Sequence, residues 1–184
     1  MYRGIMQLGV LLLVAGGLAA LGQNRPTAAK IQHGPSAQQM VGAWRLLSIE
    51  TVRANGAVIY PFYGEHPEGL LVYDRSGWMS VQIAADPAAA VPAGGSWEAV
   101  LAASTGDKVK AFEGYYAYYG SWTLDPAAST VTHHIRQSLH PGERGDDAVR
   151  HFELKGNRLI LTAKSHEMGE DHERRIVWER LSEK

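Results

Sequence analysis

Across residues 43–181 the sequence breaks into about nine short segments of alternating apolar and polar residues, joined mostly by tight turns. No other feature narrows the fold as far. Asn55-Gly56 joins the segments 43–53 and 57–62, and Asn-Gly is the strongest short hairpin signal because both residues tolerate positive φ. Asp74-Arg75-Ser76-Gly77 joins 69–73 to 78–83. The alternation resumes at 115–124, 131–139, 149–154, 158–164 and 174–181, with a Pro126-Ala127-Ala128-Ser129 turn and a Lys155-Gly156-Asn157 turn among the connections. This is an antiparallel meander, and a sheet of that size in a small domain curls and closes because closure removes its exposed edges. Gly42-Ala43-Trp44 at the head of the first segment points to a closed barrel built around a pocket.

Two stretches interrupt the β pattern. Ser36-Ala37-Gln38-Gln39 resembles a capping box and predicts a short helical turn ending near Gly42. Residues 84–110, rich in Ala, Pro and Gly, hold two helix-like pieces, one starting at Ser96-Trp97-Glu98 and one at 108–112 capped by Asp107. Such an insertion is expected to cover one end of the barrel, with Trp97, Val100 and Leu101 over the mouth as a fixed plug or as a lid.

The remaining organisation follows from composition. Arg3 and the apolar run at 8–21 read as a secretory signal over residues 1–22, the alternative being an uncleaved anchor, since a bilayer span takes about 20 apolar residues. Residues 23–38 form a leader, and 39–184 the barrel domain. The expected location is the periplasm or the exterior, with membrane attachment only through an uncleaved N-terminal segment. A net charge of −1 argues against a nucleic-acid partner, which phosphate contacts would require to be basic. With no cysteine the fold is held by packing alone, and thiol nucleophiles and thiolate metal sites are excluded.

Several of these segments also form an ordered set. Gly42-Ala43-Trp44-Arg45-Leu46, Tyr60-Pro61-Phe62, Gly77-Trp78-Met79-Ser80, Tyr116-Ala117-Tyr118-Tyr119-Gly120, Val131-Thr132-His133-His134, Arg150-His151-Phe152-Glu153-Leu154 and Trp178-Glu179-Arg180 occur in an order that resembles the bacterial lipocalin-like domain family. The resemblance covers residues 39–181. It implies an all-β, calycin-type up-and-down barrel in which Gly42 and Trp44 close one end and Arg180 stacks on the Trp44 face. The chain departs from the true lipocalins: it lacks their disulfides, and Gly145-Asp146-Asp147 stands where they carry Thr-Asp-Tyr, so their ligands do not transfer to it.

Strand parity sketches the pocket, because successive side chains face opposite sides of a sheet. In 131–139 the apolar set Val131, Ile135 and Leu139 puts His133 and Gln137 inside and His134 and Arg136 outside. In 149–154 Arg150 shares a face with Phe152 and Leu154. Tyr116, Tyr118, Trp122 and Leu124 line the interior from the preceding segment. A guanidinium in a lumen needs an anion or another acceptor, so Arg150 suits a carboxylate ligand whose apolar body packs on Tyr116, Tyr118 and Trp122. The competing explanation pairs Arg150 with a protein carboxylate such as Glu50, or turns it to solvent.

Two functions fit this pattern. One is extracytoplasmic binding of a small apolar or amphipathic molecule, with Tyr116, Tyr118, Trp122, His133, Gln137 and Arg150 as ligand-binding residues. The other is an isomerase or cyclase in which His133 shuttles a proton and Tyr118 or Arg150 stabilises negative charge. No catalytic residue is assigned and no cofactor is called for: G-x-S-x-G, H-E-x-x-H, P-loop and G-x-G-x-x-G are all absent. The eight histidines suggest no metal centre, because His133 and His134 face opposite sides. His166 and His172 beside Glu167, Glu170 and Asp171 read as a charged hairpin tip.

Overall fold

Ser36 is the cap of a one-turn helix, α1 (Ala37–Met40), its backbone N–H donating to Gln39 Oε1 at 2.8 Å. The protein is described by a computed structural model covering residues 36–60, 63–88, 96–167 and 169–182, the side chain of Glu167 excepted. The signal or anchor segment at 1–22, the leader as far as residue 35, Pro61 and Phe62, and residues 89–95 of the insertion lie outside the described residues.

The alternating segments form strands β1 (Gly42–Arg53), β2 (Val58–Ile59), β3 (Glu68–Tyr73), β4 (Trp78–Ala84), β5 (Tyr115–Asp125), β6 (Thr130–Ser138), β7 (Asp147–Lys155), β8 (Arg158–Glu167) and β9 (Glu170–Arg180). From β3 to β9 each strand pairs antiparallel with the next, and β3 also pairs with β1. Contact of β1 with β9, from Trp44 opposite Arg180 to Arg53 opposite His172, closes an eight-stranded barrel. Of the segment expected as a strand at 57–62, whose last two residues lie outside the described ones, Val58 and Ile59 form β2 against the outer end of β1.

Two bulges decide which side chains face the lumen. In β1 the pairing with β9 skips at Leu47, so Trp44 and Leu46 point inward before the skip and Ile49 and Thr51 after it. Glu50 is therefore on the outer face, where its carboxylate takes Arg175 Nε at 3.0 Å and Nη2 at 2.5 Å. It is not the partner of Arg150. In β6 the pairing with β5 jumps from Tyr119–Gln137 to Gly120–Ile135. Val131, His133 and Ile135 are buried, as alternation requires, but Arg136 is the extra residue and Gln137 comes out exposed. The inward placement expected for Gln137 is thus corrected by a single bulge.

Gly120 is what permits that bulge. A Cβ built on it would lie 1.9 Å from the His134 carbonyl oxygen, a backbone atom that has no freedom to retreat. Gly120→Ala is expected to lower the unfolding free energy by more than about 1 kcal/mol, measured by urea denaturation. An unchanged midpoint would mean the bulge relaxes without cost.

The insertion supplies two helices. Ser96 caps α2 (Trp97–Ala102), accepting from the Ala99 N–H at 3.2 Å. The second helix, α3 (Thr105–Glu113), starts one turn before the expected 108–112, because Ser104 and not Asp107 is the cap. Ser104 Oγ accepts from the Asp107 N–H at 3.1 Å and donates to its carboxylate at 2.7 Å. Trp97, Val100 and Leu101, expected over the mouth, are 70%, 46% and 60% exposed.

At the opposite end the barrel is shut. Trp44 is fully buried, its Nε1–H donating to the Met40 carbonyl at 3.0 Å, and the Arg180 guanidinium lies 4.0 Å over its ring. Arg180 also donates to the Val41 carbonyl at 2.7 Å and to that of Gln39. Gly42, at φ 137°, passes under this guanidinium so closely that a Cβ would sit 2.7 Å from Nη1.

Candidate functional site

Beyond the closed end, a cavity of about 290 Å³ lies inside the barrel. Its wall has two levels that follow from the strand registers. The outer level carries Tyr63, Ile83, Tyr116, His140, Glu143 and Arg174. The inner one carries Val81, Tyr118, His133, Arg150 and Trp178.

The outer level is organised around Glu143, in a 3-10 turn (Pro141–Glu143) between β6 and β7. Its carboxylate accepts from the Tyr116 hydroxyl at 3.1 Å and from Ser138 Oγ at 2.6 Å. His140 packs its ring against Tyr116 at 5.2 Å and against Phe112 of α3 at 5.3 Å, so α3 flanks the mouth through one aromatic contact. Burial raises the Tyr116 pKa, and the nearby Tyr118 and Glu143 push it the same way. Tyr63 is likewise raised to about 12, chiefly by burial. Both phenols stay protonated at neutral pH.

The inner level centres on His133, which is 1% exposed. Its Nε2 lies 2.6 Å from the Tyr73 hydroxyl and its Nδ1 lies 2.7 Å from that of Tyr118. Burial drives its pKa down to about 3, with the Arg150 and His134 charges adding to the shift, so the ring is neutral and carries one N–H. Tyr118 is raised to about 12 by burial, while Arg150 beside it acts to lower the value. Among the described residues no carboxylate lies within ion-pair distance of Arg150.

Of the residues singled out from sequence, Tyr116, Tyr118, His133 and Arg150 meet around one cavity. Trp122 is inward and buried but lies below the cavity, its ring tilted against Tyr73 at 4.7 Å and its Nε1–H donating to the Asp74 carbonyl at 3.1 Å. Gln137 is on the outer surface. Parity missed Glu143, Tyr63 and His140 because they lie in turns and loops, where alternation carries no information. Arg174 and Trp178 were within its reach, since Arg174, Ile176, Trp178 and Arg180 alternate along β9.

The hairpin tip of β8 and β9 is a separate feature. His166 faces Asp171 across the ladder, Nδ1 to Oδ1 at 2.7 Å, whereas His172 is buried on the other side of the sheet. Among the described residues no group of three His, Cys, Asp or Glu is placed to hold a metal ion, and no helix is long and apolar enough to cross a membrane.

What the cavity can do chemically is set by its lining: two guanidiniums, one carboxylate already satisfied by protein donors, neutral aromatic hydroxyls and an apolar wall. No curated protein and no solved structure is significantly similar to the chain. The relationship is visible instead over the whole barrel: residues 41–181, from the strand that carries Trp44 to the end of the strand that carries Arg180, match the model of the Lipocalin-like domain, and the chain belongs to that family.

Proposed function

We propose that the protein is an extracytoplasmic binder that shelters one small apolar or amphipathic molecule in its barrel, with an anionic or strongly polar end of the guest facing Arg150. The cavity carries this reading, because an eight-stranded barrel is narrow enough for side chains to fill, and here about 290 Å³ stays open. That space is the share of about ten water molecules, which suits a guest of one or two rings or a short acyl chain. Arg150, with no carboxylate opposite it among the described residues, supplies the reason for a polar end. The apolar run behind Arg3 supports export. The isomerase or cyclase alternative asks His133 to take up a proton, and a ring with a pKa near 3 does so poorly at neutral pH.

Organic extraction of gently purified protein, followed by mass spectrometry, should release a reproducible small molecule in near-stoichiometric amount. Arg150→Met should then weaken 2-naphthoate by about tenfold or more while leaving 2-isopropylnaphthalene within about twofold, both followed by tryptophan fluorescence. Equal losses for the two probes would remove Arg150 as the anchor, and exclusion of both from the wild-type protein would remove the binding function.

A further inference from the structure

Counting hydrogens at the inner level shows what kind of head group the cavity accepts. Tyr73 and Tyr118 are each buried and both hydroxyls hydrogen-bond the His133 ring; the Arg150 guanidinium also donates to the Tyr118 oxygen, so among the described residues the ring is the one acceptor that meets either hydroxyl. A neutral imidazole has one donor and one acceptor, so it accepts the hydrogen of one phenol and donates to the oxygen of the other. One phenolic hydrogen is left without an acceptor among the described residues.

Position decides which one. Tyr73 is 1% exposed, packs against Trp122 and does not line the cavity, whereas Tyr118 does. Leaving the Tyr73 hydrogen unpaired in the packed core would cost its full desolvation, and the Tyr118 hydrogen has the cavity to turn to. The lower-energy arrangement therefore has Tyr73 donating to Nε2 and Nδ1–H donating to the Tyr118 oxygen.

Trp178 lines the cavity, is 1% exposed, and its Nε1–H has no hydrogen-bond partner among the described residues. Trp122, by contrast, satisfies its own N–H on the Asp74 carbonyl.

We propose that the inner cavity is a donor-only site, in which the Tyr118 hydroxyl, the Trp178 Nε1–H and Arg150 select a small apolar molecule ending in a carboxylate or carbonyl oxygen, with His133 and Tyr73 as positioning residues that hold the Tyr118 hydrogen toward the guest. This rests on the binding function proposed above and specifies the group it recognises. A neutral ketone should satisfy the site nearly as well as an acid, which charge attraction to Arg150 alone would not produce.

The test has two arms. Long-range 1H–15N correlation spectra of the wild-type protein labelled at histidine should show His133 protonated on Nδ1. Protonation on Nε2 would place the spare hydrogen on Tyr73 and overturn the proposal. In the second arm, 2-acetylnaphthalene and its near-isostere 2-isopropylnaphthalene are titrated into the same protein. The ketone should bind at least about fivefold tighter, and Tyr118→Phe should abolish most of that advantage while leaving the hydrocarbon within about twofold. Equal binding of the two probes by the wild type would sink the donor-only site and leave the binding function standing. Failure of both to bind would sink the two together.

Discussion

Replacing Trp44 with alanine is expected to lower the unfolding free energy by about 3–5 kcal/mol, the largest loss from any single truncation in the barrel. Trp44 is fully buried at the closed end, beneath a guanidinium that itself depends on the ring. Without the indole, Arg180 loses its stacking surface, Met40 loses its carbonyl partner, and the strand ends that meet there, β1 with β3 and β1 with β9, close over a void. The Arg180 guanidinium is partly desolvated, which lowers its pKa, and without the ring its remaining partners, the Val41 and Gln39 carbonyls, would have to hold it alone. Trp97→Ala serves as the control. That side chain is 70% exposed, and its removal should change stability by no more than about 0.5 kcal/mol. Guanidinium chloride unfolding of the two variants separates the cases, and a Trp44→Ala loss under about 1 kcal/mol would show that the closed end collapses around the gap.

The barrel was legible because its signals are local. Asn55-Gly56 and Asp74-Arg75-Ser76-Gly77 make turns whatever the rest of the chain does, and alternation along β5 and β7 assigns Tyr116, Tyr118 and Arg150 to the lumen without knowledge of any neighbour. Gln137 was misplaced because a bulge belongs to two strands at once. The extra residue at Arg136 follows from the close approach of Gly120 to the His134 carbonyl, a contact that appears only when β5 and β6 lie side by side. The same limit hid the inner cluster. Tyr73 and His133 are separated by 60 positions in sequence, and nothing in either segment announces the other. Glu143 was hidden for a different reason, since it stands in a turn whose side-chain directions obey no period. Arg174 and Trp178 are readable from the same parity that places Arg180, since all three alternate along β9.

Because His133 is held neutral by burial, the protein should lose stability to acid earlier than its carboxylates alone would dictate. The folded-state pKa, about 3, lies below the unfolded value of about 6.5, so between those limits the unfolded chain binds one more proton than the native one. Stability from this residue is therefore complete above about pH 6.5 and drains away as the pH falls, at a slope approaching roughly 1.4 kcal/mol per pH unit. The sign is opposite to that of a histidine stabilised by a carboxylate, whose contribution would grow on acidification. His133→Gln isolates the effect, since a glutamine amide can donate to one phenol and accept from the other but does not titrate. Unfolding free energies of both proteins, taken by urea denaturation from pH 7 to pH 4, should show the wild type ahead at neutral pH and the gap narrowing by about one proton's worth of slope as the pH drops. Other titrating groups act on both proteins alike and cancel in the difference. Parallel curves across the whole interval would mean that the His133 ring takes up its proton near the ordinary pH inside the folded barrel, and the neutral hydrogen-bonded cluster with Tyr73 and Tyr118 would have to be abandoned.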